Sequence, residues 1–272
     1  MTAVLFGCDF SSAPSRRKPI VLAFGAVDGA QVTLHGLETF DTLDAWADWL
    51  TRTPAWVGGF DFPFGLPREL VAKLGWPLQW SALMAHYAAM TRAEIRAEFA
   101  GFCAGRPVGG KFAHRATDAP AGSSPSMKWV NPPVAFMLHA GVPRLLAAGA
   151  ELPGLHVPAH GMASRVALEG YPGLLARELI GRRSYKADDR ARQTPERMRA
   201  RGDLLDALAA GSRRLGLRLA CSAPERHALL ADAQGDRIDS VLCLVQAAWA
   251  TLQPAWGLPA AIDPIEGWIV SA

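Results

Sequence analysis

The stretch Ala3-Val4-Leu5-Phe6-Gly7-Cys8-Asp9 is an apolar run that ends on a carboxylate, and Phe10-Ser11-Ser12-Ala13-Pro14 then breaks it with turn chemistry. The pattern recurs at Ala55-Trp56-Val57-Gly58-Gly59-Phe60, which closes on Asp61 before Phe62-Pro63-Phe64-Gly65-Leu66-Pro67. It recurs again at Arg165-Val166-Ala167-Leu168, which closes on Glu169 before Gly170-Tyr171-Pro172. In an open α/β sheet, ligands bind beyond the carboxyl ends of the strands. Three parallel strands of this kind would therefore gather three acids at one edge.

Outward from the first stretch, residues 20–27 and 31–35 read as two further strands joined by Asp28-Gly29. Asp-Gly tolerates the positive φ that a tight hairpin turn demands, so three antiparallel strands in succession are expected. Residues 41–52 read as a helix capped by Asp41 or Thr42, with Leu43, Trp46, Ala47 and Leu50 on one face. The strand at 55–61 follows at once. A strand reached through a helix lies parallel in the same sheet with a right-handed crossover. Because the hairpin occupies one side of the first strand, the fourth takes the other. Asp9 and Asp61 then sit about 4.8 Å apart, the spacing of adjacent strands.

Residues 66–164 interrupt this order with Pro, Gly, Trp and Met, a helix over 79–103, another over 133–149, and a loop-like run from Gly105 to Pro133. A loop that long inside a compact domain is functional or disordered, and here it is read as covering the acidic edge. A fifth strand is expected at 165–169, with Pro172 in the first turn of the next helix. Residues 181–201 hold eight Lys/Arg against three Asp/Glu. A helix over 195–214, a short strand at 215–220 and a helix over 236–252 complete the chain. Ile238, Val241, Leu242, Val245, Trp249 and Leu252 give the last helix its buried stripe. The expected architecture is one α/β domain over 1–272, with 66–164 as an inserted helical and loop subdomain. Its mixed five-stranded sheet has the order 3-2-1-4-5 and is flanked by helices.

Composition narrows the setting. A chain of 272 residues that is 50% hydrophobic, with nine tryptophans, has ample material for a core. Its formal net charge of +3 permits an anionic partner without requiring one. The four cysteines show no CxxC or metal-ligand spacing and read as reduced thiols, which favours a cytoplasmic location. Neither a signal-peptide pattern nor a membrane span is visible, so no membrane partner is expected.

Asp236 and Asp239 stand three apart at the start of the last helix, on a shared face. Capping accounts for Asp236; Asp239 flanks the buried stripe, where it is drawn towards the sheet edge. With Asp9, Asp61 and Glu169 it would complete a cluster of four acids. Such a cluster cannot stay ionised unaided, because like charges a few ångströms apart raise one another's pKa. Mg²⁺ or Mn²⁺, which prefer oxygen ligands, would neutralise it, and paired ions of this type hydrolyse phosphodiesters.

Gly7-Cys8-Asp9-Phe10-Ser11-Ser12-Ala13-Pro14, Gly59-Phe60-Asp61-Phe62-Pro63-Phe64-Gly65-Leu66-Pro67, Leu168-Glu169-Gly170-Tyr171-Pro172-Gly173, Arg183-Ser184-Tyr185-Lys186 and Asp236-Arg237-Ile238-Asp239 resemble the blocks of domain-of-unknown-function family 429. That family is regarded as nucleases, and the order of elements is similar to the ribonuclease H-like fold. The resemblance implies metal-ligand places for Asp9, Asp61 and Asp239, with Asp236 and Glu169 as additions. Asp9 would bridge the ions, Asp61 and Asp239 would each ligate one, and Glu169 would ligate or position water. The implied activity is divalent-metal-dependent phosphodiester hydrolysis of DNA, RNA or a small nucleotide. The alternatives are a phosphotransferase of actin and sugar-kinase topology, which would need a glycine-rich phosphate loop that does not follow Asp9, and a non-catalytic binding module.

Candidate substrate-binding residues lie in two places. Lys111, His114, Arg115 and Lys128 bring cations into the long loop, with Trp129 available to stack on a base. Lys186 heads the basic stretch, either as a phosphate contact or as a solvated lysine. Arginines 182, 183, 190, 192, 197, 199 and 201 could grip a nucleic-acid backbone, although arginines on a solvated helix face are common.

Overall fold

A computed structural model describes residues 3–159, 164–211 and 214–272. Strands β1 (Val4–Asp9), β2 (Ile20–Asp28) and β3 (Gln31–Phe40) form an antiparallel meander. Strand β3 runs five residues beyond the apolar alternation that marked it, through Glu38 and Thr39, because β2 offers partners as far as Ile20↔Phe40. The pairing absorbs a register shift at Phe24/Gly25 on the way. Helix α1 (Leu43–Arg52) starts where the Thr42 side chain accepts from the Ala45 amide at 3.1 Å, and it buries Trp46 and Leu50. Strand β4 (Trp56–Phe60) lies parallel to β1, from Val4↔Trp56 to Cys8↔Phe60, and β5 (Arg165–Glu169) lies parallel to β4.

The insertion between β4 and β5 carries α2 (Arg68–Lys73), α3 (Trp80–Ala89), α4 (Arg92–Ala104), α5 (Asp118–Ala121) and α6 (Val134–Ala147). The single helix expected over 79–103 is two. Thr91 and Glu94 form a capping box, each side chain meeting the other's amide, and this restarts the chain as α4. Beyond β5 come α7 (Pro172–Ile180), opened by Pro172, then α8 (Pro195–Ala210), β6 (Arg218–Ala220), α9 (Ala223–Ala231) and α10 (Asp236–Thr251). Of the expected extension of α8 to residue 214, residues 212–213 lie outside the described residues. The insertion's residues 160–163 do so too.

The sheet has six strands in the order β5-β4-β1-β2-β3-β6, which corrects the expectation of five. Strand β6 pairs parallel with the outer edge of β3, from Gln31↔Arg218 to Thr33↔Ala220, and covers backbone groups that a bare edge would expose. Strand alternation divides the core in two. Phe6, Cys8, Trp56 and Phe60 pack with α1 and the insertion, whereas Leu5, Ala23, Val166 and Leu168 pack with α7, α8 and α10.

On the second face α10 lies directly against the sheet. Gly7 and Gly59 pair opposite each other in β1 and β4. A Cβ on Gly7 would stand 2.0 Å from the Leu244 nitrogen, and one on Gly59 would stand 2.5 Å from the Cys243 carbonyl oxygen. Only glycine permits so close an approach. Asp9 and Asp61, two residues beyond these glycines, share their face.

Candidate metal centre

Asp9 is the last residue of β1. Asp61 immediately follows β4, and its amide donates to the Cys8 carbonyl at 2.9 Å, continuing the ladder to the adjacent acid. Asp239 lies in the first turn of α10. One carboxylate oxygen from each of the three lies within 4.8 Å of the others. Asp239 is fully buried, Asp9 is 8% exposed and Asp61 is half-buried. The glycine contact between α10 and the sheet brings the acid of a late helix to the ends of two early strands.

The electrostatics are those of crowded anions. Burial, then Asp236, Asp239 and Asp61, push the Asp9 carboxyl well above its usual range. Burial, then Asp239, push Asp61 up to about 7. Asp236, also buried, is pushed to about 6 by burial, with Lys18 as the largest opposing influence. Asp236 does not cap α10. Asp232 does so instead, accepting from the Arg237 amide at 2.9 Å. Asp236 stands beside the triad and is not one of the three convergent ligands.

Two neighbours answer the charge. The buried Tyr185 hydroxyl donates to one oxygen of Asp239 and the Lys186 ammonium to the other. Helix α8 fixes this pair from behind: Arg197 donates to the Lys186 carbonyl at 2.7 Å and Arg201 to the Tyr185 carbonyl at 2.8 Å. Arg201 is thus a buried structural arginine, which removes it from the surface set that could grip a backbone. Arg199 pairs with Glu196, and Arg183 pairs with Asp203 at 2.5 Å. Lys18, which the sequence reading passed over, donates to Asp188 at 2.7 Å on the rim near Asp236. Its only signal is a lysine in the turn after the first strand.

Glu169 does not join the triad, and strand parity explains why. It registers with Phe60 rather than with Asp61, so it emerges on the sheet face opposite to the three aspartates. There Arg115 grips it through two bonds, Nη2 to Oε1 at 2.7 Å and Nη1 to Oε2 at 2.9 Å, and the Phe64 amide adds a third at 3.0 Å. Burial still raises its carboxyl above the usual range, with Arg115 opposing. Glu169 thus stands outside the three-acid cluster, in a buried ion pair with Arg115, and both line the cleft that Asp61 also lines.

Arg115 was expected to hold substrate. Its guanidinium is buried and donates to Asp118, to Glu169 and to the Glu266 carbonyl, which uses every N–H it has. It locks the long loop to the sheet edge. Lys111 and His114 are exposed and Lys128 is half-buried; none of these three lines the cleft beside the acids. Trp129 packs edge-on against Phe112, with ring centres 5.6 Å apart, so packing and not an open base platform accounts for it.

That cleft has a volume of about 750 Å³ and begins at Asp61 and Lys186. Arg182, Arg183, Ser123, Ser124 and Tyr171 line its polar parts, and Val134, Met137 and Ile269 its apolar wall. The donor set suits a hard divalent cation, since it consists of carboxylate oxygens alone. The nearby thiols of Cys8 and Cys243 are pushed up by burial and stay protonated. All four cysteines are free of disulfides. Among the described residues no helix is long and apolar enough to cross a membrane. No protein-family model, curated protein or solved structure matches the chain.

Proposed function

We propose that the protein is a divalent-metal-dependent phosphodiester hydrolase, a nuclease built on a ribonuclease H-like sheet and related to domain-of-unknown-function family 429. The observation that carries this reading is the convergence of Asp9, Asp61 and Asp239 on one point beside a cation-lined cleft. Three such carboxylates raise one another's proton affinity and need a positive partner, and their hard oxygens favour Mg²⁺ or Mn²⁺. Bound there, a divalent cation would supply Lewis-acid activation of water and neutralisation of the charge developing on a phosphodiester.

The chain's own groups do the rest. Asp9, Asp61 and Asp239 hold the cation from two strand ends and one helix, a rigid frame that fixes its position. Arg182 and Arg183 face the cleft and would bind phosphate oxygens, with Lys186 at the boundary between acids and substrate. Val134 and Met137 add apolar lining to the same cleft.

The test is cleavage of an end-labelled oligonucleotide with and without Mn²⁺. Wild-type protein should cleave only with the ion. Asp9→Asn and Asp61→Asn should each lower the rate at least about a hundredfold, since loss of a ligand exceeds the 10–100-fold effect typical of a ligand's supporting partners. Full activity in either variant, or activity in EDTA, rejects the mechanism. Turnover of ATP in place of the oligonucleotide would favour the phosphotransferase alternative.

A further inference from the structure

The basic stretch forms a second groove of about 600 Å³ that meets the cleft at Arg183, a residue lining both. Arg192, Arg197, Ser184 and Thr194 line the groove, and its one acid, Glu196, is engaged by Arg199 at 2.8 Å. Arg183 is paired with Asp203, but the other cations of the stretch are not all neutralised from within. Arg182, Arg190, Arg192 and Arg197 make no salt bridge to an acid among the described residues. The groove also borders the N-terminus of the 16-residue helix α8, where the backbone amides favour anions. Arg197 is bonded to the Lys186 carbonyl, so the groove is fixed relative to the acids and does not float on a loose loop.

We infer that the groove along Arg183, Arg192 and Arg197 is a docking track for single-stranded nucleic acid, leading the strand into the cleft beside Asp61. The track takes its direction from the hydrolase reading, on which it rests. The cleft alone is the size of a site for one small ligand, so it holds a nucleotide-sized piece. A mononucleotide would have no use for three more arginines beyond Arg182. A chain would, because each successive phosphate needs a counter-charge. The strand must also be single. Asp239 is fully buried and Asp9 nearly so, and a flexible strand can lower a phosphate into that recess, whereas a stiff duplex rests on the rim.

The test reads binding without turnover, by fluorescence anisotropy of labelled oligothymidylate and oligouridylate in EDTA at several salt concentrations. The two probes separate DNA from RNA as the strand. The double variant Arg192→Glu with Arg197→Glu should bind at least about tenfold more weakly and reduce the salt slope by about 1.4, the share of two phosphate contacts on a single strand. Arg192→Glu alone keeps the test sound if loss of the Arg197 bond disturbs α8, because Arg192 is exposed and makes no salt bridge among the described residues. It should show about half the change in slope. Unchanged affinity in both variants overturns the track, and a duplex that binds as tightly as the single strand overturns the single-strand assignment. Strand binding through these arginines with no cleavage in Mn²⁺ would support the track and reject the hydrolase reading.

Discussion

Arg115 shows how much one side chain can decide when it is buried among acids. Its guanidinium joins Glu169 at the end of β5, Asp118 in the long loop and the Glu266 carbonyl near the C-terminus. Taking three charges out of water is costly, and the mutual bonds offset that cost only while all partners are present. Arg115→Met would leave Glu169 and Asp118 buried and uncompensated. It should lower the unfolding free energy by about 3–5 kcal/mol, the usual result of breaking a buried pair from one side. Urea denaturation followed by tryptophan fluorescence reads it directly, and a loss under about 1 kcal/mol would mean that the acids escape to solvent. Restoring charge with Arg115→Lys should recover only part of the loss, because an ammonium cannot make the paired bonds of the guanidinium fork.

At the scale of elements, the contact between α10 and the β1–β4 pair places Asp239. Gly7 and Gly59 leave no side chain between helix and sheet, and a methyl group on Gly7 would collide with backbone on α10. Gly7→Ala must push the helix outward, and its first turn carries Asp239 away from Asp9 and Asp61. The expected outcome is a loss of about 3 kcal/mol or more, at the upper end of overpacking effects. Calorimetric titration should also show weaker Mn²⁺ binding; unchanged affinity would show that the triad tolerates a displaced helix.

Much of this arrangement is legible in sequence because it is local. An apolar run ending on Asp9 or Asp61, and Asp239 flanking the apolar stripe of α10, each follow from a period of 2 or 3.6. The break between α3 and α4 is local too, written in Thr91 and Glu94, but a continuous helix pattern concealed it. Glu169 is the acid whose place the strand pattern alone does not give. Its strand ends like the other two, yet its register against Phe60 turns it to the opposite face, and register depends on pairing. The role of Arg115 depends on Glu266, 151 residues away, and no pattern within the loop announces such a partner. The short strand at 215–220 is legible, but its place beside β3 as a sixth strand is a long-range pairing that three residues do not announce.

For the molecule as a whole, the acidic edge makes the metal-free fold sensitive to pH in an unusual direction. Asp61 at about 7 and Asp236 at about 6 in the folded protein compare with about 3.9 in an unfolded chain. Raised carboxyl groups hold protons that the unfolded chain has already released. Their stabilising contribution is therefore complete below about pH 4 and is lost as pH rises through 6 and 7. Asp263, whose carboxyl its bonds to Arg68 lower, acts below that range; His139, whose imidazole burial lowers, acts within it in the opposite sense, one group against the two raised aspartates. In EDTA the melting temperature should fall steadily from pH 5 to pH 8. Asp61→Asn should flatten that fall, because it removes a titrating group from the cluster. Saturating Mn²⁺ should reverse it: the ion favours the ionised carboxylates, and at a hundred times its dissociation constant it adds about 2.7 kcal/mol. Scanning fluorimetry across pH, with chelator and with Mn²⁺, resolves all three behaviours on one protein sample. A melting temperature that rises with pH in EDTA, or one that Mn²⁺ leaves unmoved at pH 8, would mean that Asp9, Asp61 and Asp239 do not form a cation site.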